Sequence, residues 1–468
     1  MKILYVASEV APFSASGGLG DVMGALPAAI AESADCEVGV ISPLYGTMNE
    51  SFKNMLNKTD YITFKLSWRS TGASVYTLKK DNVTYYFIEN NYYFDRPKLY
   101  GEYDDGERFA FFSLAVVEFM LATDNIPDIL HANDWQTALT VIYLKTKYKS
   151  EHRLSSVKTV YTIHNMEYQG KYDMALLGDV FALDGVFRGA VEYNGCINLT
   201  KGAMVLSDSV STVSPNYARE LCYDFFSFGL SDIVRASAHK MHGVINGIDY
   251  SYFSPDRGGD IYAQYTKRTV KSGKAKNKSA LQKELSLPAT ADVPLLVMIT
   301  RLVHGKGLDL VLHIADELLA ENIQLVVLGT GDTEYEKALR NLEITHSNMR
   351  ALIKFDRVFS KKIYAAADIF IMPSKSEPCG LAQMIACSYG TVPVVRAVGG
   401  LYDSIKDGEN GFVFENYNAH ELLAKIKEAI SLFQYREKWM ALVKGVINSD
   451  FSWNKSAKEY IRIYEELI

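Results

Sequence analysis

Residues 1–33 read MKILYVASEVAPFSASGGLGDVMGALPAAIAES, and the order of elements in this segment is the key to the architecture. The run Ile3–Ala7 is apolar and rich in β-branched and aromatic residues, as is typical of a strand buried on both faces. Gly17, Gly18 and Gly20 follow it, and a helical pattern begins there. A strand, a glycine-rich turn and a helix in this order predict the first part of a β–α–β unit.

The same alternation of strand and helix continues along the chain. Short apolar runs bounded by turn residues recur in both halves, and amphipathic helical patterns separate them. The strand-like runs are Ile3–Ala7, Val38–Ser42, Thr84–Ile88, Asp128–Ala132, Thr159–Ile163, Val210–Ser214, Leu295–Thr300, Gln324–Gly329, Ile369–Ser374 and Val392–Ala397. This pattern predicts the α/β class, with Rossmann-like, doubly wound parallel sheets.

One polar segment interrupts the alternation and predicts a domain boundary. From Asp249 to Val293 the chain is rich in lysine and lacks apolar runs, so it resembles a connector that leads into one helix, predicted at Lys276–Leu285. A fresh strand–helix series follows. We therefore expect two Rossmann-like domains, residues 1–248 and 249–468, facing each other across a deep cleft. The last helices, after about residue 435, are candidates to pack back on the first domain.

Composition limits the classes of function. The 468 residues carry 49 Lys and Arg against 55 Asp and Glu, a net charge of −6, whereas proteins that bind nucleic acid or anionic membranes usually have a basic excess. No apolar run is long enough to span a membrane, and the amino terminus lacks the features of a signal peptide. The five cysteines are sparse and without paired spacing. We therefore expect a cytoplasmic protein with reduced thiols that binds neither nucleic acid nor membrane.

Residues that follow strands are the candidates for chemistry, because ligands of open α/β sheets bind beyond the carboxyl ends of the strands. Arg301 and Lys306 follow a buried strand, and they are either diphosphate ligands or an ordinary surface pair. Glu377 lies in a strand-to-helix turn with Gly380. It is either a carboxylate that contacts a sugar or a helix cap.

The first half offers a second group of polar residues after strands. His131, Asp134 and Trp135 follow one strand, and His164 and Asn165 follow another, which favours contact with a polar ligand. The glycine-rich turn could hold a phosphate or could be a plain tight turn. The chain contains no zinc motif and no Asp-x-Asp, and we therefore expect no metal-bridged diphosphate.

These segments together resemble the motifs of bacterial glycogen synthases and plant starch synthases, in the same order and spacing. They are SEVAPFSASGGLGDVMGALP, HANDWQTAL, YTIHNMEYQGK, STVSPNYARE, VINGIDYSYFSP, TRLVHGKGLDL, PSKSEPCGLAQM and VVRAVGGLYDSI. The resemblance covers essentially the whole chain and implies a retaining glycosyltransferase with two Rossmann domains. Its expected reaction moves glucose from ADP-glucose to the non-reducing 4-hydroxyl of an α-1,4-glucan, glycogen or a maltooligosaccharide, without a cofactor or metal.

The resemblance also implies roles for individual residues. The residues implied for catalysis are Glu377, Arg301, Lys306, His164 and Asp134. The residues implied for donor binding are Gly17, Gly18, Asp21, Phe355 (the adenine-stacking position), Ser374, Gly380 and Leu381. The residues implied for contact with the sugar or the acceptor are Asn165, Asn246 and Trp135.

Three positions depart from the family pattern. Ala15 replaces a lysine that normally reaches the donor phosphates, a charge-assisted contact of about 1.5–3 kcal/mol. Its loss corresponds to roughly ten- to a hundredfold weaker donor binding or catalysis. Gln136 stands where the family usually has histidine, and Ala382 where threonine is common. These departures leave an alternative, a catalytically weakened paralogue that binds glucan or nucleotide sugar in a regulatory or scaffold role. A UDP-glucose-dependent enzyme of the same fold is a third alternative.

Overall fold

The computed structural model describes residues 1–257 and 259–468, and the chain forms two compact units. Unit 1 comprises residues 1–247 together with 453–468, and unit 2 comprises residues 248–452. Each unit has its own largely parallel sheet with helices packed on it. This architecture confirms the predicted α/β class with two Rossmann-like units.

Unit 1 is built on a mixed sheet whose centre is parallel. Its strands, with those of a small antiparallel sheet (β8-β10-β9), are β1 (Lys2–Val6), β2 (Glu37–Pro43), β3 (Asn57–Leu66), β4 (Arg69–Lys80), β5 (Val83–Glu89), β6 (Ile129–Asn133), β7 (Lys158–Ile163), β8 (Lys171–Asp173), β9 (Glu192–Tyr193), β10 (Cys196–Asn198), β11 (Ser209–Thr212) and β12 (Met241–Gly243). The main sheet has the order β12-β11-β7-β6-β1-β2-β5-β4-β3. All pairs from β12 to β5 are parallel, and β4 and β3 add an antiparallel hairpin at one edge.

The β3–β4 hairpin is missing from the predicted strands. Ile62, Phe64 and Leu66 are buried and alternate with exposed residues, as expected of a strand with one face on the core. A search for continuous apolar runs overlooks this alternation, which is the ordinary pattern of an antiparallel edge.

Helices of unit 1 follow most of its strands and cover the sheet. They are α1 (Gly18–Ser33), α2 (Glu50–Lys53), α3 (Asn91–Phe94), α4 (Asp105–Thr123), α5 (Trp135–Lys145), α6 (Leu176–Asp179), α7 (Arg188–Val191), α8 (Leu199–Leu206), α9 (Pro215–Glu220), α10 (Asp224–Ser227) and α11 (Ser231–Ala236), with 3₁₀ turns at His152–Leu154, Gly185–Phe187 and Ala238–Lys240. Helix α1 begins in the glycine-rich turn, and α5 begins directly after β6. Both helices therefore start at the carboxyl ends of strands.

Unit 2 has a sheet that is parallel throughout. Its strands are β13 (Leu295–Ile299), β14 (Gln324–Leu328), β15 (Met349–Leu352), β16 (Ile369–Met372), β17 (Val392–Arg396) and β18 (Phe412–Phe414), in the order β15-β14-β13-β16-β17-β18. Its helices are α12 (Val270–Glu284), α13 (Leu308–His313), α14 (Ala315–Leu319), α15 (Thr333–Thr345), α16 (Arg357–Ala366), α17 (Ala382–Ser388), α18 (Gly399–Ser404), α19 (Ala419–Gln434) and α20 (Arg436–Asn448), with a 3₁₀ turn at His304–Lys306.

Helix α12 begins six residues before the predicted start at Lys276, and its buried face includes Lys274 and Lys278 beside the apolar Val270 and Leu281. Lys274 Nζ donates to Thr391 Oγ1 at 2.8 Å and to the Tyr389 carbonyl at 3.2 Å, and burial lowers the pKa of Lys274 to about 7. Lys278 Nζ pairs with Asp368 at 2.7 Å. A pattern of apolar residues cannot reveal a helix face of this kind.

The chain returns to unit 1 for its last helix, α21 (Trp453–Glu465). Trp453, Tyr460 and Tyr464 of this helix lie in the unit 1 core, and Tyr464 Oη lies 2.8 Å from Tyr5 Oη. Helix α20 stays in unit 2, where Trp439 packs edge-on against the Phe433 ring. The structure therefore differs from the expectation for the helices after about residue 435, since only α21 packs on unit 1. No helix among the described residues is both long and apolar enough to cross a membrane.

Candidate functional site

Three neighbouring strands of unit 1 end at one edge of its sheet. β7, β6 and β1 are adjacent in the sheet and parallel to one another. His164 follows β7, Asp134 follows β6, and Glu9 follows β1 within a few residues. Their carboxyl ends therefore bring together residues that are far apart in the sequence, as expected for an open α/β sheet.

Glu9 holds the glycine-rich turn in place. Its buried carboxylate accepts hydrogen bonds from the Ser16 backbone N–H at 2.5 Å and from Ser16 Oγ at 2.9 Å. Burial raises the pKa of Glu9, and these hydrogen bonds oppose the rise. Gly17 and Gly18 are exposed at the start of α1, and a Cβ at Gly18 would meet nothing within 4 Å. The backbone of Gly17 and Gly18 is therefore exposed to solvent, while the hydrogen bonds between Glu9 and Ser16 hold the turn in place.

Asp134 adopts an unusual backbone conformation, with φ of 59°. A non-glycine residue in this region is uncommon and is often found at functional sites. Asp134 Oδ1 accepts a hydrogen bond from the His164 backbone N–H at 2.7 Å. Burial raises the pKa of Asp134 to about 7, against the opposing effect of hydrogen bonds from the His164 and Asn165 backbone. The carboxyl group is therefore poised between its neutral and charged forms near neutral pH.

His164 lies at the end of β7 with its ring against β6. Its Nε2 lies 2.9 Å from Asn133 Oδ1, and burial lowers the pKa of His164 to about 3. The imidazole is therefore neutral at pH 7. Asn165, the next residue, is partly exposed and accepts a hydrogen bond from the Glu167 backbone N–H at 3.0 Å.

The other residues implied for unit 1 lie in different settings. Asp21 is in the first turn of α1 and is partly exposed. Asn246 is buried after β12, and its Oδ1 has no hydrogen-bond partner among the described residues, which makes it a candidate ligand contact. The Trp135 ring packs near Phe109 and Tyr172, at centroid distances of 5.5 and 6.0 Å. These contacts give Trp135 a packing role.

In unit 2, Lys306 and Glu377 form an ion pair. Lys306 Nζ donates to Glu377 Oε2 at 2.6 Å, and their side chains are 18% and 8% exposed. The buried Ser374 Oγ donates to the same oxygen at 3.0 Å. An ammonium group has three N–H donors, so Lys306 keeps donors beyond this pair. Ser374, implied as a donor-binding residue, holds the Glu377 carboxylate in this structure.

The turn that carries Glu377 depends on two glycines. Gly380 has φ of 74°, a conformation that favours glycine, and a Cβ there would lie 2.6 Å from Gln383 Oε1. A Cβ at Gly399 would collide with the Glu377 carbonyl oxygen. Leu381 follows Gly380 and caps α17. The backbone after β16 is therefore held closely on both sides of Glu377.

Arg301 and Phe355 lie at the surface of unit 2. Arg301 follows β13 and is exposed, and its guanidinium group makes no hydrogen bond or ion pair within the part of the chain that the structure describes. Phe355 lies between β15 and α16 and is 82% exposed. A phenylalanine this exposed offers a ring face on which a planar group can stack.

Two residues of the unit 1 edge are missing from the predicted set. Glu9 contacts the glycine-rich turn and Asn133 contacts His164, yet neither residue is among those predicted from the sequence. An acidic residue directly after an apolar strand is a signal for Glu9. For Asn133 the signal is a polar side chain at the end of a strand whose other residues are buried.

The three departing positions have different environments. Ala15 is exposed beside the turn held by Glu9. Gln136 is in α5, and its buried Oε1 has no partner among the described residues. Ala382 is the first residue of α17, so its backbone N–H remains at the start of that helix. Among the described residues, no group of three or more His, Cys, Asp or Glu could hold a metal ion.

Comparison with protein families gives two matches that together cover most of the chain. Residues 2–236 match the family described as "Starch synthase catalytic domain", and residues 283–441 match "Glycosyl transferases group 1". The first match lies within unit 1 and the second within unit 2.

Individual relatives match over the full length. The chain is 43% identical to a glycogen synthase of Ligilactobacillus salivarius, over 100% of both chains. It is 42% identical to a glycogen synthase of Bacillus subtilis, over 100% of this chain and 98% of the relative. Among solved structures it is similar to the catalytic domain of starch synthase IV from Arabidopsis thaliana, bound to ADP and acarbose. That match has 33% identity and a TM-score of 0.91, and it covers 99% of each chain.

The substitution Asp134→Asn is expected to stabilise unit 1 more at about pH 8.5 than at about pH 5. The pKa of Asp134 is raised to about 7 in the folded chain, whereas an unfolded aspartate titrates near about 3.9. Folding therefore takes up a proton between these values, and this contribution to stability is lost as the pH rises through about 7. Asparagine does not ionise, so the variant does not lose this contribution to stability as the pH rises.

Urea unfolding at the two pH values, followed by pulse proteolysis and mass spectrometry of peptides from β6 and β7, measures this difference for unit 1. Asp173→Asn, at an exposed position on β8, is the matched control and should change stability equally at both pH values. An Asp134→Asn effect that is the same at both pH values would contradict the raised pKa.

Proposed function

This chain belongs to the glycogen and starch synthase family of glycosyltransferases, and on that premise we propose that it transfers glucose from ADP-glucose to the non-reducing 4-hydroxyl of an α-1,4-glucan, with retention of configuration. The observation that carries the proposal is the similarity to glycogen synthases over the full length of the chain. The structural similarity to a starch synthase bound to ADP and acarbose supports it. No finding supports the alternative of a weakened regulatory paralogue.

The donor's diphosphate is assigned to unit 2. Arg301 is exposed and makes no other ion pair among the described residues, and Lys306 keeps N–H donors beyond its pair with Glu377. Both can form charge-assisted hydrogen bonds to phosphate oxygens. The backbone N–H groups at Gly380 and Leu381 add further donors at the start of α17. The exposed Phe355 ring supports stacking of the adenine.

These positive groups act on the leaving group. As the bond between glucose C1 and the diphosphate oxygen breaks, its electron pair goes to that oxygen, and negative charge grows on ADP. Arg301 and Lys306 stabilise the growing charge. The glucose acquires oxocarbenium character, which the Glu377 carboxylate stabilises. The acceptor's 4-hydroxyl then forms the new bond on the face that the phosphate leaves, and its proton goes to the leaving phosphate oxygen.

Contacts to the hydroxyl groups of the glucose and of the acceptor are assigned to unit 1. Asp134, His164 and Asn165 lie at the carboxyl edge of its sheet and offer hydrogen-bonding groups to sugar hydroxyls. Asn246 adds a buried Oδ1 with no partner among the described residues. The proposal includes no metal or cofactor, because these side chains and N–H groups account for the charges that the transfer creates. It places the reaction in the cytoplasm, as the sparse, unpaired spacing of the cysteines suggests.

A transfer assay tests the proposed function. The purified chain is expected to move radiolabelled glucose from ADP-glucose to glycogen with a chelator present, and unlabelled UDP-glucose should compete weakly. The transfer is measured as the radioactivity that remains bound to the glycogen after washing. Absence of transfer from labelled ADP-glucose and, in a parallel assay, from labelled UDP-glucose would favour the regulatory alternative, and faster transfer from labelled UDP-glucose would make the assigned donor wrong.

Glu377→Gln is expected to lower kcat by at least about a hundredfold, because the neutral amide cannot stabilise positive charge on the sugar. The affinity for ADP, measured by calorimetry, should stay within about threefold, since Arg301 and Lys306 remain. Glu334→Gln, at an exposed position on α15, is the matched control and should leave both values unchanged. Turnover of Glu377→Gln near that of the unaltered enzyme would refute the role of Glu377.

Ala15→Lys is expected to strengthen ADP-glucose binding by roughly ten- to a hundredfold, the value of a charge-assisted hydrogen bond of about 1.5–3 kcal/mol. Ala15 is exposed, so the longer side chain needs no repacking of the core. Ala15→Met is the uncharged control and should give no gain. If Ala15→Lys also gives no gain in calorimetric affinity, the missing charge is compensated elsewhere.

A further inference from the structure

The His164 imidazole carries a single proton, and the function of the ring depends on which nitrogen holds it. Burial lowers the pKa of His164 to about 3, so the ring is neutral at pH 7. In a neutral imidazole one nitrogen is a donor and the other an acceptor. The choice between them is set by the partner of each nitrogen.

Asn133 supplies the partner of Nε2, and the orientation of its amide group is fixed. Its Nδ2 lies 3.2 Å from the Val6 carbonyl oxygen and 3.1 Å from the His131 carbonyl oxygen. Both of these atoms are acceptors, so the group facing them must be the NH₂ donor. The reversed amide would place an acceptor against two acceptors. The atom that faces His164 is therefore Asn133 Oδ1.

An amide oxygen can only accept, so the nitrogen 2.9 Å from it must donate. The proton of His164 is thereby placed on Nε2, and Nδ1 keeps its lone pair. Nδ1 makes no hydrogen bond to any residue that the structure describes, and the side chain is partly exposed. The ring thus offers an acceptor, and not a donor, to a ligand.

We propose that Asn133 is a positioning residue that locks His164 in the tautomer with its proton on Nε2, so that the unprotonated Nδ1 accepts a hydrogen bond from a hydroxyl group of the transferred glucose. This inference rests on the proposed function for the identity of the ligand. The tautomer itself follows from the hydrogen bonds alone.

The setting of Asn133 suits a positioning role. The residue is the last of β6 and is 1% exposed, so it is held by the sheet and is shielded from solvent. Its backbone N–H donates to Thr137 Oγ1 at 2.7 Å. The next residue, Asp134, accepts the hydrogen bond from the His164 backbone. Two consecutive residues therefore fix the two parts of His164, Asn133 its ring and Asp134 its main chain.

The test combines nitrogen NMR with kinetics of the full-length enzyme. In the chain labelled with ¹⁵N-histidine, the His164 signals, identified by their loss in His164→Gln, should show a protonated Nε2 and an unprotonated Nδ1. Asn133→Leu removes the amide acceptor and should lose this pattern. Its kcat/KM for ADP-glucose should fall by at least about tenfold, because a misplaced active-site contact costs this much or more. Its affinity for ADP should stay within about twofold, since ADP is assigned to unit 2.

Asn133→His is the conservative variant. A neutral imidazole can accept through one nitrogen and donate through the other, so this variant should keep the Nε2 proton on His164 and recover most of the activity. Asn277→Leu, which removes a buried asparagine of unit 2, is the matched control and should leave the His164 signals and the kinetics of the folded enzyme unchanged.

Two results would overturn the proposal. The first is a proton on Nδ1 in the unaltered chain, which needs no variant to fold. The second is a loss of activity in Asn133→Leu with the His164 signals unchanged, because a purely structural role would then explain the loss. The NMR measurement does not depend on turnover. An inactive enzyme with the expected tautomer would therefore count against the proposed function, while leaving the lock by Asn133 intact.

Discussion

Parallel strands end at a common edge of their sheet, and the candidate functional residues of this chain depend on that constraint. In unit 1 it brings together Glu9, Asp134 and His164, which follow β1, β6 and β7 and are spread over positions 9 to 164 of the sequence. In unit 2 it sets Lys306, after β13, beside Glu377, after the neighbouring β16. A side chain at such an edge is positioned by the rigid strand that precedes it and by hydrogen bonds from adjacent turns. The Asn133–His164 and Lys306–Glu377 contacts are the two clearest results of this arrangement.

The class of fold and most strands could be predicted because buried parallel strands have a strong local signature. Each predicted run lies on a strand of one of the two main sheets. The hairpin β3–β4 was not predicted, because only one of its faces is buried and its strands therefore contain no continuous apolar run. Helix α12 was placed too late, since its first turns bury Lys274, whose ammonium group donates to backbone and side-chain oxygens of distant segments. A local pattern cannot contain such partners, and the return of α21 alone to unit 1 has the same cause.

The identity of candidate site residues could also be predicted, but their contacts could not. Strand-end position and motif resemblance both pointed to Lys306, Glu377 and His164. Neither indicated that Lys306 pairs with Glu377, that Ser374 donates to the same carboxylate, or that the Trp135 ring packs near Phe109 and Tyr172. Such contacts depend on side-chain directions at the ends of different strands. The role of Glu9 follows from the same kind of contact, since its partner Ser16 lies seven residues away across a turn.

Asp134 and His164, in unit 1, are close to neutral, whereas the candidate site residues of unit 2 include two cations. This difference matches the neutral hydroxyl groups and the charged diphosphate of the proposed substrate. At the unit 1 edge, burial moves Asp134 and His164 toward their neutral forms, since it raises the pKa of Asp134 to about 7 and lowers that of His164 to about 3. Such groups can exchange hydrogen bonds with neutral hydroxyls without holding a charge away from water. Unit 2 instead keeps Arg301 exposed and Lys306 partly exposed. A guanidinium group and an ammonium group form charge-assisted hydrogen bonds to phosphate oxygens, so these two side chains suit a diphosphate. Ala15 is consistent with this difference, because a lysine at position 15 would add a cation to unit 1, beside a turn near Asp134 and His164. With alanine at position 15, the charged groups proposed to bind the phosphates are therefore Arg301 and Lys306, both in unit 2.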